Sequence, residues 1–210
     1  MNNLKEKLEE LNKWYKDNDI ELYQQLNQGI APAAIQDVEN KLSVHIPDDL
    51  KVLLQWHNGT NDEYLDIGFG APFNSLEISL IELDTCIEAI GEEWNQRWLP
   101  IFGEGDEQWF IVLSKEKSDS SGIFKYNFDD ENIYLQYENI NGLVGTVLAS
   151  CNSGLIKPLS DRTDDFYELF FSDEFESIRK KYNPTAYPFS KKQGVSVIPS
   201  FEEEWPDDWK

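Results

Sequence analysis

Basic residues are what this chain is short of. Eighteen Lys and Arg stand against forty Asp and Glu, a formal net charge of −22 at pH 7 over 210 residues. A folded chain of this mass exposes roughly 10,000 Å², one uncompensated negative charge per ~450 Å² of it. Such a field repels nucleic acid and anionic membrane, and it speeds encounters with basic partners. Solubility alone is the other use of that charge.

Cysteine and histidine are scarce too. Cys86 and Cys151 lie far apart and match no metal or redox spacing. His45 and His57 are the only histidines and fall on one helix and its lead-in, so no serine or cysteine finds a base at motif spacing. No apolar run reaches the roughly 18 residues that span a bilayer. The start, MNNLKEKLEE, has no apolar core of the kind a signal peptide needs. Two free thiols in such a chain suggest the cytoplasm. Gly68-x-Gly70 and Gly103-x-Gly105 lack the further glycine and helix of a phosphate loop. The run NFDDEN, residues 127–132, lacks the glycine and distal glutamate of a calcium loop. No cofactor, no metal and no catalytic residue is therefore assigned, and no enzyme activity is expected.

What is present is enough to build a core: 40% hydrophobic residues, 13% aromatic, seven tryptophans. Leu4, Leu8, Leu11 and Tyr15 recur at helical spacing, so residues 3–16 read as an amphipathic helix. Asp19 caps a short second helix through Leu22, Tyr23 and Leu26, stopped by Gly29. Pro32 suits the first turn of a third, with Ile35, Val38 and Leu42 on one face. Pro47 opens a fourth, and Asp48 and Asp49 complement its dipole. Leu50, Leu53, Leu54 and His57 form that helix's apolar stripe. This placement predicts a structural histidine near the helix end, a cation or a donor to a free carbonyl, with Asn58 or Gly59 left-handed after it.

Beyond Gly59 the texture changes. Leu65–Phe69 alternates as a strand does, and Leu76–Ser79 reads as a second short strand. A helix through Leu83, Ile87, Ile90 and Trp94 follows. Four strands are expected at Trp98–Phe102, Gln108–Ser114, Gly122–Asn127 and Ile133–Tyr137, joined by polar turns. A helix from about Leu143 to Cys151 closes this block. Asp173–Tyr182 is a further helix with Phe175, Ile178 and Tyr182 inward, ended by Asn183-Pro184. The stretch after it, broken by prolines and ending acidic and aromatic, reads as an arm that wraps the domain or hangs free.

The order of these pieces carries a resemblance. Glu39 ends a helix; Ile46-Pro47 starts one that runs to Asn58-Gly59; Trp98, Pro100-Ile101, Gly105-Asp106 and the strand Trp109–Leu113 follow. Over about residues 30–150 this resembles the SMI1/KNR4 family of the SUKH superfamily. Ile46 stands where the family usually has Leu, and Leu113-Ser114 where many members carry an Asp after the strand. The resemblance implies an α+β fold, a single domain with helices packed on a mostly antiparallel twisted sheet. Residues 1–160 would form it. Residues 161–210 would add a C-terminal helix and an extended arm outside the pattern. Bacterial members are typically immunity proteins that neutralise toxins deployed between competing bacteria, many of them nucleases. Fungal members are regulators linked to cell-wall synthesis and signalling. The family brings no established catalytic residues.

The expected partner is thus a protein, a cognate toxin domain, with no nucleic acid and no membrane; the alternative is a regulatory or scaffolding role with an endogenous partner. Two places suit contact. Glu104, Asp106 and Glu107 crowd one turn with Trp109 beside them. In the tail, Trp205 and Trp209 sit among Glu202, Glu203, Asp207 and Asp208. Tryptophan dominates many interfaces, and flanking acids steer a basic partner. The plainer readings are a solvated turn and a solvated terminus.

Overall fold

Leu4, Leu8, Leu11 and Tyr15 line one face of α1 (Asn2–Asn18), and all four are buried. The computed structural model describes residues 2–62, 65–91, 94–104, 107–127, 132–163 and 166–186. Asp19 caps α2 (Ile20–Gln25), its Oδ1 accepting the Leu22 N–H at 3.2 Å. That helix does not run on through Leu26. The chain turns extended there and forms β1 (Leu26–Gln28). Pro32 sits in the first turn of α3 (Pro32–Leu42), which ends where Ser43 turns left-handed at φ 56°.

Pro47 stands just ahead of α4 (Asp48–Trp56), and Leu50, Leu53 and Leu54 are buried as the spacing predicts. His57 is not on that helix. It is already extended at φ −144° and opens β2 (His57–Thr60), which pairs antiparallel with β1. Gly59 takes a φ of 73° inside β2, where a Cβ would stand 2.3 Å from the Ser75 nitrogen. The strand partner supplied by β1 ends the helix earlier than its apolar stripe suggests.

The alternation at Leu65–Phe69 predicts a strand, but the chain forms a loop wound around a carboxylate. Asp66 Oδ1 accepts the N–H groups of Gly68 and Phe69, both at 2.7 Å, and Oδ2 accepts that of Gly70 at 3.1 Å. Those amides are satisfied without a neighbouring strand. Gly68 and Gly70, at φ 97° and 88°, allow the curl. The Tyr15 hydroxyl donates to the Ile67 carbonyl at 2.6 Å, and Arg162 Nη1 to that of Asp66 at 2.6 Å.

Leu76–Ser79 is likewise no strand but the first turn of α5 (Leu76–Ile90). Ser75 caps that turn by accepting the Ile78 N–H, and Asn58 Oδ1 accepts that of Leu76. Trp94 lies past the end of this helix, buried, with its indole N–H donating to the Trp98 carbonyl.

A four-stranded antiparallel meander follows, in the order β3 (Trp98–Glu104), β4 (Glu107–Val112), β5 (Ile123–Asn127), β6 (Asn132–Tyr137). All four strands stand within a few residues of their predicted places. Trp98 stacks on Phe110 at 4.8 Å and Phe110 on Phe124 at 5.6 Å, so one row of rings crosses three strands. Helix α5 packs along β3. Helix α6 (Ile140–Ser153) touches α1, α4 and α7 (Asp173–Tyr182). The architecture is the expected α+β arrangement of helices on antiparallel sheets. Phe175 is buried and Ile178 and Tyr182 are half-buried, so α7 closes onto α6 through the face its spacing predicts.

Candidate functional site

The residues of the family pattern hold the fold together. Glu39 is 5% exposed; its Oε1 accepts the Ile46 N–H at 2.8 Å and pairs with Lys51 Nζ at 2.7 Å. It ties the end of α3 to the start of α4. Asn58 caps α5, and Trp98, Leu99 and Ile101 are core. None of these side chains is presented to a partner, and Gly105 and Asp106 lie outside the described residues.

His57 is half-buried at the junction of three elements. Its Nδ1 meets the Asn27 carbonyl at 2.7 Å and its Nε2 meets Asn12 Oδ1 at 3.2 Å. Trp56 and Tyr23 pack edge-on against the ring. Burial lowers its pKa, more than the carbonyl of Asn27 raises it. The shift favours the neutral ring. The carbonyl it bonds belongs to β1, so the ring links β1 to β2 instead of closing the end of α4.

The thiols are equally withdrawn. Cys86 and Cys151 are free and buried, and burial pushes both up to about 12. A thiolate is the reactive form of cysteine, so neither is poised for attack. Among the described residues no three His, Cys, Asp or Glu gather to hold a metal. Nor is any helix there long and apolar enough to cross a membrane.

The acidic turn falls at the tip of the β3–β4 hairpin. Glu104 ends β3, Glu107 begins β4, and the two pair across the ladder. Asp106 lies outside the described residues, as do Glu202, Glu203, Trp205, Asp207, Asp208 and Trp209. Trp109 is 7% exposed, its ring set between Phe102 and Tyr137, so it packs as core just behind the tip of the hairpin.

A neighbour of that hairpin escapes a sequence reading. Gln108, 3% exposed, donates from Nε2 to Glu82 Oε2 at 3.2 Å. This bond joins the tip end of the hairpin to the middle of α5, 26 residues earlier. Helix α5 carries four acids, Glu77, Glu82, Asp84 and Glu88, and no base. The signal was there in the sequence: no Lys or Arg occurs from Val52 to Gln96, a stretch holding nine acids. The fold lays this basic-free helix beside the acid-rich hairpin.

No curated protein matches the chain. The model of the SMI1 / KNR4 family (SUKH-1) matches residues 29–145, more than half of the sequence and nearly the span of the resemblance, and the chain belongs to that family.

Proposed function

We propose that the protein is an immunity protein: it binds a toxin domain and blocks the surface that the toxin needs for its chemistry. Family membership supports a protein partner. The observation that carries the reading is the concentration of acid without base on α5, beside the hairpin whose turn is bounded by Glu104 and Glu107. A nuclease groove must be basic because it holds phosphates. An acidic surface of matching shape competes for that groove, so a nuclease-type toxin is the target that fits the charge best.

The test is co-expression with the toxin domain encoded beside the gene. The expected result is a complex that elutes together and cells that survive the toxin. Separate elution with no rescue would overturn the immunity reading and favour a regulatory partner inside the same cell.

A further inference from the structure

Along α5, the residues Glu77, Ile81, Asp84 and Glu88 fall at i, i+4, i+7 and i+11, within one narrow stripe. The opposite face, with Leu76, Ser79, Leu83 and Cys86, is buried against the body of the protein. Ile81 stands at the centre of the outward stripe and is 53% exposed. Thr85, one turn on, turns its hydroxyl back onto the Ile81 carbonyl at 2.9 Å.

The acids around Ile81 sit badly for the isolated helix. Asp84 and Glu88 are like charges one turn apart, which repel. Glu88 is in the last turn, where negative charge opposes the helix dipole and no base is present to offset it. Glu77, Asp84 and Glu88 have no salt-bridge partner among the described residues. Around the helix from that stripe, towards its packed side, the Gln108 amide reaches Glu82 with one end, while its carbonyl oxygen is buried with no hydrogen-bond partner among the described residues. A buried unpaired acceptor is uncommon, and here it lies at the seam between α5 and the hairpin. An exposed aliphatic side chain in line with the carboxylates of Glu77, Asp84 and Glu88 has the composition of an interface centre with a charged rim.

We infer that the outward face of α5, centred on Ile81, is the surface that docks the partner, and that the partner presents lysines or arginines around an apolar depression of aliphatic size. This rests on the immunity reading above and narrows it to one helix. Charge complementarity selects the occupant. A second copy of the chain would bring the same negative stripe against itself, and nucleic acid would be repelled.

The experiment measures the affinity of the neighbouring toxin domain for the wild-type protein, for Ile81→Ala, and for the double variant Asp84→Lys/Glu88→Lys. Both variants are expected to fold, because Ile81 is solvent-exposed and the charge changes relieve repulsion. The melting temperature of the double variant should be equal to or above that of wild type. Affinity should fall at least roughly tenfold for Ile81→Ala and further for the double variant. Wild-type affinity in both variants would overturn the assignment of α5 and leave the immunity reading standing. Failure of the wild-type protein itself to bind would overturn both. Light scattering supplies a second check: a wild-type dimer that Ile81→Ala converts to monomer, with toxin affinity unchanged, would show that the face covers a second copy and would also overturn the proposal.

Discussion

The Asp49 carboxylate accepts the backbone N–H of Ile140 at 3.2 Å, across 91 residues, while its other oxygen accepts the N–H of Leu50 at 2.8 Å. One side chain thereby serves the first turns of both α4 and α6. Asp49 is 5% exposed, and burial outweighs the two amide bonds, pushing its carboxyl up to about 7. The ordinary value in an unfolded chain is about 3.9. Between those values the folded state binds the proton more tightly. The contribution of Asp49 to stability is thus fully present below about pH 4 and is lost as pH rises through 7. Asp49→Asn cannot titrate, and it turns an NH2 group against an amide donor. It should cost about 1–3 kcal/mol and flatten the stability profile between pH 4 and 7. Denaturant melts across that range check this; an unchanged slope would assign the pH dependence to other groups.

His57 works with the opposite sign. Its folded pKa is lowered, so over the range below its ordinary value of about 6.5 the unfolded state binds more protons. Its contribution is present above that value and is lost as pH falls. His57→Gln keeps an N–H donor for the Asn27 carbonyl but loses the ring contacts with Trp56 and Tyr23. It should cost about 1 kcal/mol at pH 7, remove part of the acid-side loss, and leave partner binding intact. A folded His57→Gln protein that no longer binds its partner would show that the histidine does more than cross-link.

Asn183 joins the helix beyond the family match to the family domain. Its Nδ2 donates to Gly142 O, Thr146 Oγ1 and Arg179 O at 3.1–3.3 Å, and its Oδ1 accepts the Glu138 N–H at 3.1 Å. It is 1% exposed. Asn183→Ala leaves buried polar groups unpaired and should cost about 2–3 kcal/mol. Limited proteolysis should then cut first within 173–186. Cutting at the wild-type rate there would mean that the apolar face of α7 holds it without this network.

Much of this fold was legible in the residue pattern. The long helices announce themselves through apolar spacing sustained over three or more turns, as with Leu4 to Tyr15. The meander does so through strands bounded by polar turns. The misread elements are short. Leu-Glu-Ile-Ser at 76–79 fits a period of 2 as well as one of 3.6, and only the Ser75 cap decides for helix. At 65–69 the alternation is real, but the amides turn to the Asp66 carboxylate, a side-chain competitor that periodicity does not see. The first of these errors also hid the stripe around Ile81. The hairpin acids were visible as a cluster in sequence. The bond from Gln108 to Glu82 is a tertiary fact, and no local pattern encodes it.

The hairpin acids and the α5 face make separable contributions if the first steers and the second docks. Lysine in place of Glu104, Asp106 and Glu107 changes the net charge by two at each of three sites, from −22 to −16. Glu104 and Glu107 close the tip of the ladder, and Trp109 behind them keeps its core packing, so the fold should survive. Steering acts over the Debye length, about 30 Å at 0.01 M salt and about 8 Å at 0.15 M. The association rate with a basic partner should fall roughly tenfold or more at low salt and approach the wild-type rate as salt rises. The dissociation rate should change little, because charge at the rim of an interface acts chiefly on encounter. Stopped-flow association at the two salt concentrations measures both. A large rise in dissociation rate would make the hairpin part of the docked surface. Unchanged rates at both salts would remove it from recognition altogether and direct the search to the acidic tail around Trp205 and Trp209.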